Sequence, residues 1–328
     1  MILVRVPLRI SLFGGGSDFK NFYKRSDAAI LSFSFDKYVN VIIKKSFTKN
    51  FVLSYSKKEV CKNINEIRHP IIRETLRYFK IKEPLEIVSI SDIPGKGSGL
   101  GASSAFACAM VKATSEYLGK KLSNMQVAKL AAYIEISKCK SSIGKQDHYA
   151  SAMGGFNFLR FYSSEKVAVK SIATPLVKNL LNNFFLIPTN IYRNASAVLK
   201  KQQLKKNIKN RNLQIRKLVK MAIRISKSFR KNKTSSLLDL GAELHSAWKI
   251  KKNISQSVTN KKIDTLYHLG IVAGSTGGKL LGAGGGGFIL FYVPKKNQKL
   301  FKLRFESISF FKPKLDTSGI KVLRVNED

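Results

Sequence analysis

Cysteine is scarce in this 328-residue chain, with only Cys61, Cys108 and Cys139 present. Odd in number and far apart, they exclude a disulfide framework and a Cys-x-x-Cys metal site and read as free thiols. Long apolar runs are also missing. None approaches the roughly 18 residues that cross a bilayer, and the N-terminus runs straight into patterned sequence without a signal-peptide layout. A cytoplasmic protein with no membrane partner is expected. Acidic residues are few, 20 against 59 Lys plus Arg, for a formal net charge of +39. No carboxylate at all occurs between Glu165 and Asp239.

That imbalance favours acidic partners. Arg193, Lys200, Lys201, Lys205, Lys206, Lys209, Arg211, Arg216 and Lys217 crowd one segment, so nucleic acid has to be considered. Within the same segment Ile208, Ile215, Ala222 and Phe229 recur every seven residues with Leu218 and Ile225 between them, the stripe of a helix packed on one side. The basic residues, Arg211 included, then form its wet face. Stacking aromatics are almost absent there, and no zinc-finger, KH or RRM pattern occurs, so nucleic acid is not the expected partner. A lysine-rich habit plus small anionic ligands accounts for the charge.

Residues 1–185 alternate strand-like runs (3–13, 38–44, 85–93, 155–161, 168–172) with helical ones (68–79, 104–118, 123–137), an α+β pattern. Residues 186–328 hold the long basic helix, further helices at 235–251 and 260–273, a strand at 288–293 and a weaker one at 320–325, which suggests a second α+β unit. A strand-like run at 183–189 leads into it. With no repeat and no low-complexity linker, the two halves are expected to pack closely.

Three glycine clusters carry the chemistry. In Asp92-Ile-Pro-Gly-Lys-Gly-Ser-Gly-Leu-Gly-Ala-Ser-Ser-Ala105 a strand-like run meets a helix, and Gly97, Gly99 and Gly101 sit at the junction. Glycines let the backbone approach a ligand, and the helix start offers unpaired N–H groups, so the turn reads as a phosphate cradle. It is not a P-loop, because Lys96 precedes the last glycines, nor a Rossmann turn, because Leu100 holds the third glycine's place. The plainer alternative is a loop and a helix capped by Ser103 or Ser104. A second cluster, Gly277 to Phe288, contains G-x-G-x-x-G, but a strand follows it where a dinucleotide fold needs a helix. Four consecutive glycines are better explained by close backbone approach to an active site than by a turn. In the third, Pro7-Leu-Arg-Ile-Ser-Leu-Phe-Gly-Gly-Gly-Ser-Asp18, the carboxylate either caps a helix or accepts hydrogen bonds from a polyol.

Taken together, Pro7-x-Arg9 with Gly14 and Asp18, the segment Pro94 to Ser104, and Lys279-Leu-Leu-Gly-Ala-Gly-Gly-Gly-Gly287 resemble the three motifs of the GHMP kinases across almost the whole chain. Gly144-Lys-Gln-Asp-His-Tyr-Ala-Ser-Ala-Met-Gly-Gly-Phe-Asn157 is most similar to the D-glycero-D-manno-heptose 7-phosphate kinases of that family. The resemblance implies a domain like the second domain of ribosomal protein S5 joined to a ferredoxin-like C-terminal domain, with the active site between. It implies ATP and Mg²⁺, and transfer of the γ-phosphoryl group to the anomeric hydroxyl of a heptose 7-phosphate. Another GHMP kinase acting on an unphosphorylated sugar such as fucose, and a non-catalytic polyanion-binding protein on the same fold, are the alternatives. Monomer and homodimer both remain open.

By the same resemblance Pro94, Gly95, Gly97, Gly99, Leu100, Gly101, Ala102, Ser103 and Ser104 hold the nucleotide. Ser103 and Glu135 hold the metal, with Ser104 as fallback because Ala102 stands where many members have serine. Asp147 is the catalytic aspartate, with Lys145 nearby to lower the hydroxyl's proton affinity. Arg9, Gly15, Gly16, Asp18, Asp147, Arg193, Gly284, Gly285 and Gly286 would contact the sugar. Arg193, Lys251 and Lys252 are candidates for its phosphate. His148, with no second histidine at ligand spacing, reads as a packing or hydrogen-bonding residue, and Trp248 as core, with a sugar-facing ring the alternative.

Overall fold

A computed structural model describes residues 1–93, 97–173, 175–191, 198, 208–231 and 240–325. The chain opens with β1 (Ile2–Phe13), α1 (Lys20–Tyr23), β2 (Ala28–Lys45), β3 (Phe51–Ser54), β4 (Lys58–Cys61), α2 (Pro70–Tyr78) and β5 (Leu85–Ser91). There follow α3 (Ala102–Tyr117), α4 (Asn124–Tyr133), α5 (Gln146–Met153), β6 (Phe156–Phe161), β7 (Val167–Ser171), α6 (Pro175–Leu181) and β8 (Phe184–Pro188). The remainder holds α7 (Ile208–Arg230), α8 (Leu240–Lys252), α9 (Lys261–Val272), β9 (Gly277–Leu280), β10 (Phe288–Tyr292), α10 (Gln298–Arg304) and β11 (Lys321–Arg324).

Among the described residues the strands form an eight-stranded sheet, β11-β1-β2-β5-β3-β4 with β6 and β7 branching from β2, and a three-stranded sheet, β8-β10-β9. The architecture is α+β. The strand expected at 38–44 is only the second half of β2. There Val39, Val41 and Ile43 alternate inward against β5, while residues 28–35 are buried on both faces and show no alternation to read. Two layers cover that first half. Phe33 stacks on Phe156, which meets Phe229 of α7 with centroids 4.9 Å apart, whereas Ser34 Oγ donates to the Ala150 carbonyl of α5 from the other face at 2.8 Å. The nearly wholly buried, alanine-rich α3 packs beside α5 on β1 and β2.

The expected split between residues 185 and 186 falls inside β8. The terminal strand assigned to the second unit belongs elsewhere: β11 pairs antiparallel with β1, Ile2 opposite Arg324. Its short, exposed sequence carries no signal of which edge it joins. Arg324 also reaches Glu116 of α3. No helix among the described residues is long and apolar enough to cross a membrane.

α7 follows the seven-residue stripe, with Ile215, Leu218, Ala222, Ile225 and Phe229 buried. Arg211 departs from the expected wet face, since it lies on the same stripe one turn before Ile215 and is buried too. Phe229 is fully buried at the end of that stripe. Phe229→Ala should lower unfolding stability by about 3–5 kcal/mol, read from urea denaturation. A loss below about 1 kcal/mol would show that α7 contributes little to the first sheet.

Candidate active site

The cradle, the β1 turn and α7 enclose a cleft of about 260 Å³. Its centre is Arg9, a β1 residue only 3% exposed. The guanidinium grips Asp147 in a fork, Nε to Oδ1 at 2.7 Å and Nη2 to Oδ2 at 2.5 Å, while Nη1 donates to the Gly99 carbonyl at 2.8 Å. The Arg9 backbone N–H adds a bond to the Leu100 carbonyl at 3.0 Å. One residue therefore fixes the glycine loop relative to the carboxylate at the start of α5.

Helix α3 begins at Gly101, whose φ of +81° is left-handed, and has no side-chain cap. Ser103 and Ser104 do not cap because both hydroxyls donate to Glu135, at 2.5 and 2.9 Å. Glu135 is aimed at them by a wide π-helical turn, Ile134–Lys138, that continues α4. His148 Nε2 lies 2.7 Å from Glu135 Oε2, the hydrogen-bonding role expected of it. Burial acts to raise the Glu135 carboxyl, but the hydrogen bonds from His148, Ser103 and Ser104 prevail and hold it below the usual value.

Asp18 is 2% exposed and does not cap α1. Its Oδ2 accepts from the Gln146 N–H at 3.0 Å, and a Cβ on Gly144 would fall 1.9 Å from that oxygen, so only glycine leaves the carboxylate its seat. Asp18 Oδ1, Ser11 Oγ and Gln146 Oε1 are all buried without a hydrogen-bond partner, and all three residues line the cleft. Orphaned polar atoms of this kind cost about 1–3 kcal/mol each. Gathered along one wall, they suit a ligand rich in hydroxyl groups.

Lys145 does not reach the cleft. Its ammonium pairs with Glu165 and lies 4.7 Å from the Tyr23 ring centroid, drawn there because Tyr23 and Lys24 already gather around Glu165. Arg9 is the cation beside Asp147 instead. Gly15, Gly16, Gly97, Gly99, Gly101 and Ala102 line the cleft as expected, and Leu100 is buried beneath it. Gly284, Gly285 and Gly286 do not. They seat their loop on Val258 and Ile191, with the Gly285 N–H donating to the Val258 carbonyl at 2.7 Å, and only Gly282 and Ala283 face the cleft. A Cβ on Gly287 would lie 2.4 Å from the Ser98 carbonyl, so this loop packs directly on the cradle.

Lys251 lines the cleft, but its Nζ donates to the Leu280 and Gly282 carbonyls at 2.8 and 2.6 Å. Lys252 pairs with Asp264 outside it, and Trp248 is buried in the core. Pro94, Gly95 and Arg193 lie outside the described residues. Sequence reasoning missed Lys279, which is buried with its Nζ donating to the Leu12 carbonyl at 2.6 Å. Burial, with Arg9 nearby, draws that ammonium down to about 7. It also missed Arg211, Phe19 and Gln146. Arg211 alone left a trace, since it falls at an apolar position of the heptad.

Burial pushes the Asp18 carboxyl up to about 6, opposed by the Gln146 N–H and reinforced by the Asp147 charge. The folded protein therefore holds this proton above the ordinary carboxylate value. Ionised Asp18 costs stability that grows as pH rises from about 4 to 6 and then stays, on the order of 2–3 kcal/mol. Asp18→Asn should melt higher than the unaltered protein at pH 7.5, with the gain shrinking toward pH 4. A pH-independent difference in Tm would contradict this origin.

Residues 59–155 match the model of the GHMP kinases N terminal domain. The chain is 31% identical over 318 residues to the Campylobacter jejuni D-glycero-alpha-D-manno-heptose 7-phosphate kinase, covering 92% of both chains. A Thermosipho africanus galactokinase is 29% identical over 168 residues, 48% of this chain and 45% of its own. In fold, the chain is similar to a D-glycero-D-manno-heptose 1-phosphate kinase from Bacteroides thetaiotaomicron, with a TM-score of 0.80, 20% identity and all of both chains covered. A putative sugar kinase from Campylobacter jejuni aligns with a TM-score of 0.77 and 26% identity over 99% of this chain and 98% of that one.

Proposed function

The chain belongs to the GHMP kinases and is an ATP-dependent sugar kinase, and from that premise we propose that it phosphorylates the anomeric hydroxyl of D-glycero-D-manno-heptose 7-phosphate to give the 1,7-bisphosphate. The observation that carries this reading is the Arg9 fork, which ties the Asp147 carboxylate to the nucleotide-side loop at Gly99. In-line phosphoryl transfer needs donor phosphate and acceptor oxygen held in fixed register, and little else from the protein. The similarity to a heptose 7-phosphate kinase over 92% of the chain supports the acceptor.

In this reading residues 1–185 supply the ATP- and metal-binding half and residues 186–328 close the cleft over it. The cradle from Gly97 to Ser104 binds the phosphates through backbone N–H groups at the start of α3. Asp18 accepts hydrogen bonds from the sugar hydroxyls, together with Ser11 and Gln146, whose unpartnered atoms lie in the same wall. Asp147 receives the hydrogen bond of the attacking anomeric hydroxyl and takes its proton as the new bond to the γ-phosphorus forms and the bond to the bridging oxygen breaks, releasing ADP. Held by Arg9, it cannot turn away from that oxygen.

Glu135, Ser103 and Ser104 suit Mg²⁺: a carboxylate held below its usual value with two hydroxyls beside it offers the hard oxygen donors that such an ion would take. The ion, when bound, neutralises charge on the transferring phosphate. Work in the cytoplasm, where ATP is supplied, fits this chemistry.

Purified protein given Mg²⁺–ATP and a panel of sugars and sugar phosphates should release ADP with heptose 7-phosphate and place the new phosphate at C1. Turnover confined to an unphosphorylated sugar would replace this acceptor. Asp147→Asn should lower kcat by about 10²-fold or more with little change in KM for ATP; full turnover in that variant would remove Asp147 from the reaction. Ser103→Ala should raise the Mg²⁺ concentration needed for half-maximal rate, and an unchanged Mg²⁺ dependence would exclude Ser103 as a ligand.

A further inference from the structure

We propose that Arg211 is the subsite for the phosphate monoester of the acceptor, and thereby the residue that lets the cleft prefer a sugar phosphate over the free sugar. This rests on the sugar-phosphate reading above and adds the residue that reading lacks. Four cations line the cleft among the described residues: Arg9, Arg211, Lys251 and Lys279. Three already have partners. Arg9 is engaged by Asp147 and the Gly99 carbonyl, Lys251 by the Leu280 and Gly282 carbonyls, and Lys279 by the Leu12 carbonyl.

Arg211 is 6% exposed, yet among the described residues its guanidinium forms neither an ion pair nor a hydrogen bond; it only lies 5.9 Å from the Phe19 ring centroid. A buried guanidinium without an anion is costly. The sequence near it offers none, because no carboxylate occurs from residue 166 to residue 238. The three acids of the cleft do not pair with it: Asp147 faces Arg9, Glu135 faces Ser103, Ser104 and His148, and Asp18 accepts from the Gln146 N–H while its other oxygen has no hydrogen-bond partner. A charge kept at an apolar heptad position, buried and unpaired, is explained by an anion that arrives with the ligand.

Its position selects which phosphate. Ile215, one turn further along α7, meets the Gly14–Gly16 turn, where a Cβ on Gly16 would lie 3.3 Å from Ile215 Cδ1. Phe19, under the guanidinium, directly follows Asp18. Arg211 therefore stands beside the Gly14–Phe19 turn that carries Asp18 and its unpartnered oxygen, in the cleft that the cradle also lines. The planar fork of arginine matches two oxygens of a phosphate monoester at once, which a lysine in the same place cannot do.

The test compares steady-state kinetics of the unaltered enzyme, Arg211→Gln and Arg211→Lys with heptose 7-phosphate and with unphosphorylated heptose. Arg211→Gln should cut the ratio of kcat/KM for phosphorylated over free sugar at least about tenfold, through KM for the sugar phosphate, while KM for ATP moves less. Arg211→Lys, which keeps charge and bulk, should fall between the two, and it decides the question if the glutamine variant melts early. Either variant retaining the full preference overturns the proposal, as does a rise confined to KM for ATP, which would assign Arg211 to the nucleotide. An unaltered enzyme with no preference for the phosphorylated sugar overturns the acceptor reading and this subsite together. Preference intact in the parent and in both variants overturns the subsite alone.

Discussion

The grip of Arg9 on Asp147 organises the site. Three segments that are remote in sequence meet at one guanidinium: β1, the loop at Gly99 and the start of α5. Arg9 is buried and Asp147 only partly so, so removing Asp147 would leave a buried guanidinium without its counter-charge, and the geometry is enforced energetically as well as sterically. The same positive charge weakens the hold of Lys279 on its proton. A single arginine thus fixes the aim of the Asp147 carboxylate and adds to the effect of burial on the lysine behind it.

In a chain with so few acids, the three in the cleft are held in three different ways. Asp147 is paired with a cation. Glu135 collects imidazole and hydroxyl hydrogen bonds that hold its carboxyl below the usual value against its burial. Asp18 is buried with one oxygen unpartnered, and burial raises its proton affinity against the Gln146 N–H that opposes it. Environments that push like groups apart are how one residue type serves several roles. The roles proposed for them, orienting a hydroxyl, holding a metal and binding a polyol, draw on these three different surroundings.

Much of this was legible from residue order, and the exceptions have physical causes. Glycine clusters announced close backbone approach, and Gly99 and Gly287 do bring their loops together. The seven-residue stripe gave α7, and alternation gave the second half of β2. The first half of β2 escaped because burial on both faces erases alternation. The expected neighbour of Asp147 was Lys145, two positions away, but adjacency along a helix start says little about where a long flexible side chain ends. Glu165 drew it off, and Arg9, a world away in sequence, took the place. The glycines at 284–286 proved to be packing surface for the loop and not contacts of the cleft, which sequence cannot separate because both need the same absence of a side chain. Arg211 was readable in principle: a cation on an apolar stripe is a local contradiction, and such contradictions concentrate where a ligand resolves them.

The pairing of β1 with β11 has a further consequence. β1 carries Arg9, and its outer edge is covered by residues at the far end of the sheet's connectivity, Ile2 opposite Arg324. During synthesis on the ribosome that edge stays open until the strand at 321–324 has emerged, an unpaired row of backbone donors and acceptors of the kind that invites pairing with another nascent chain. The strand that carries Arg9 is thus completed along its first residues, Ile2 to Arg5, only by the last strand of the sheet to be made.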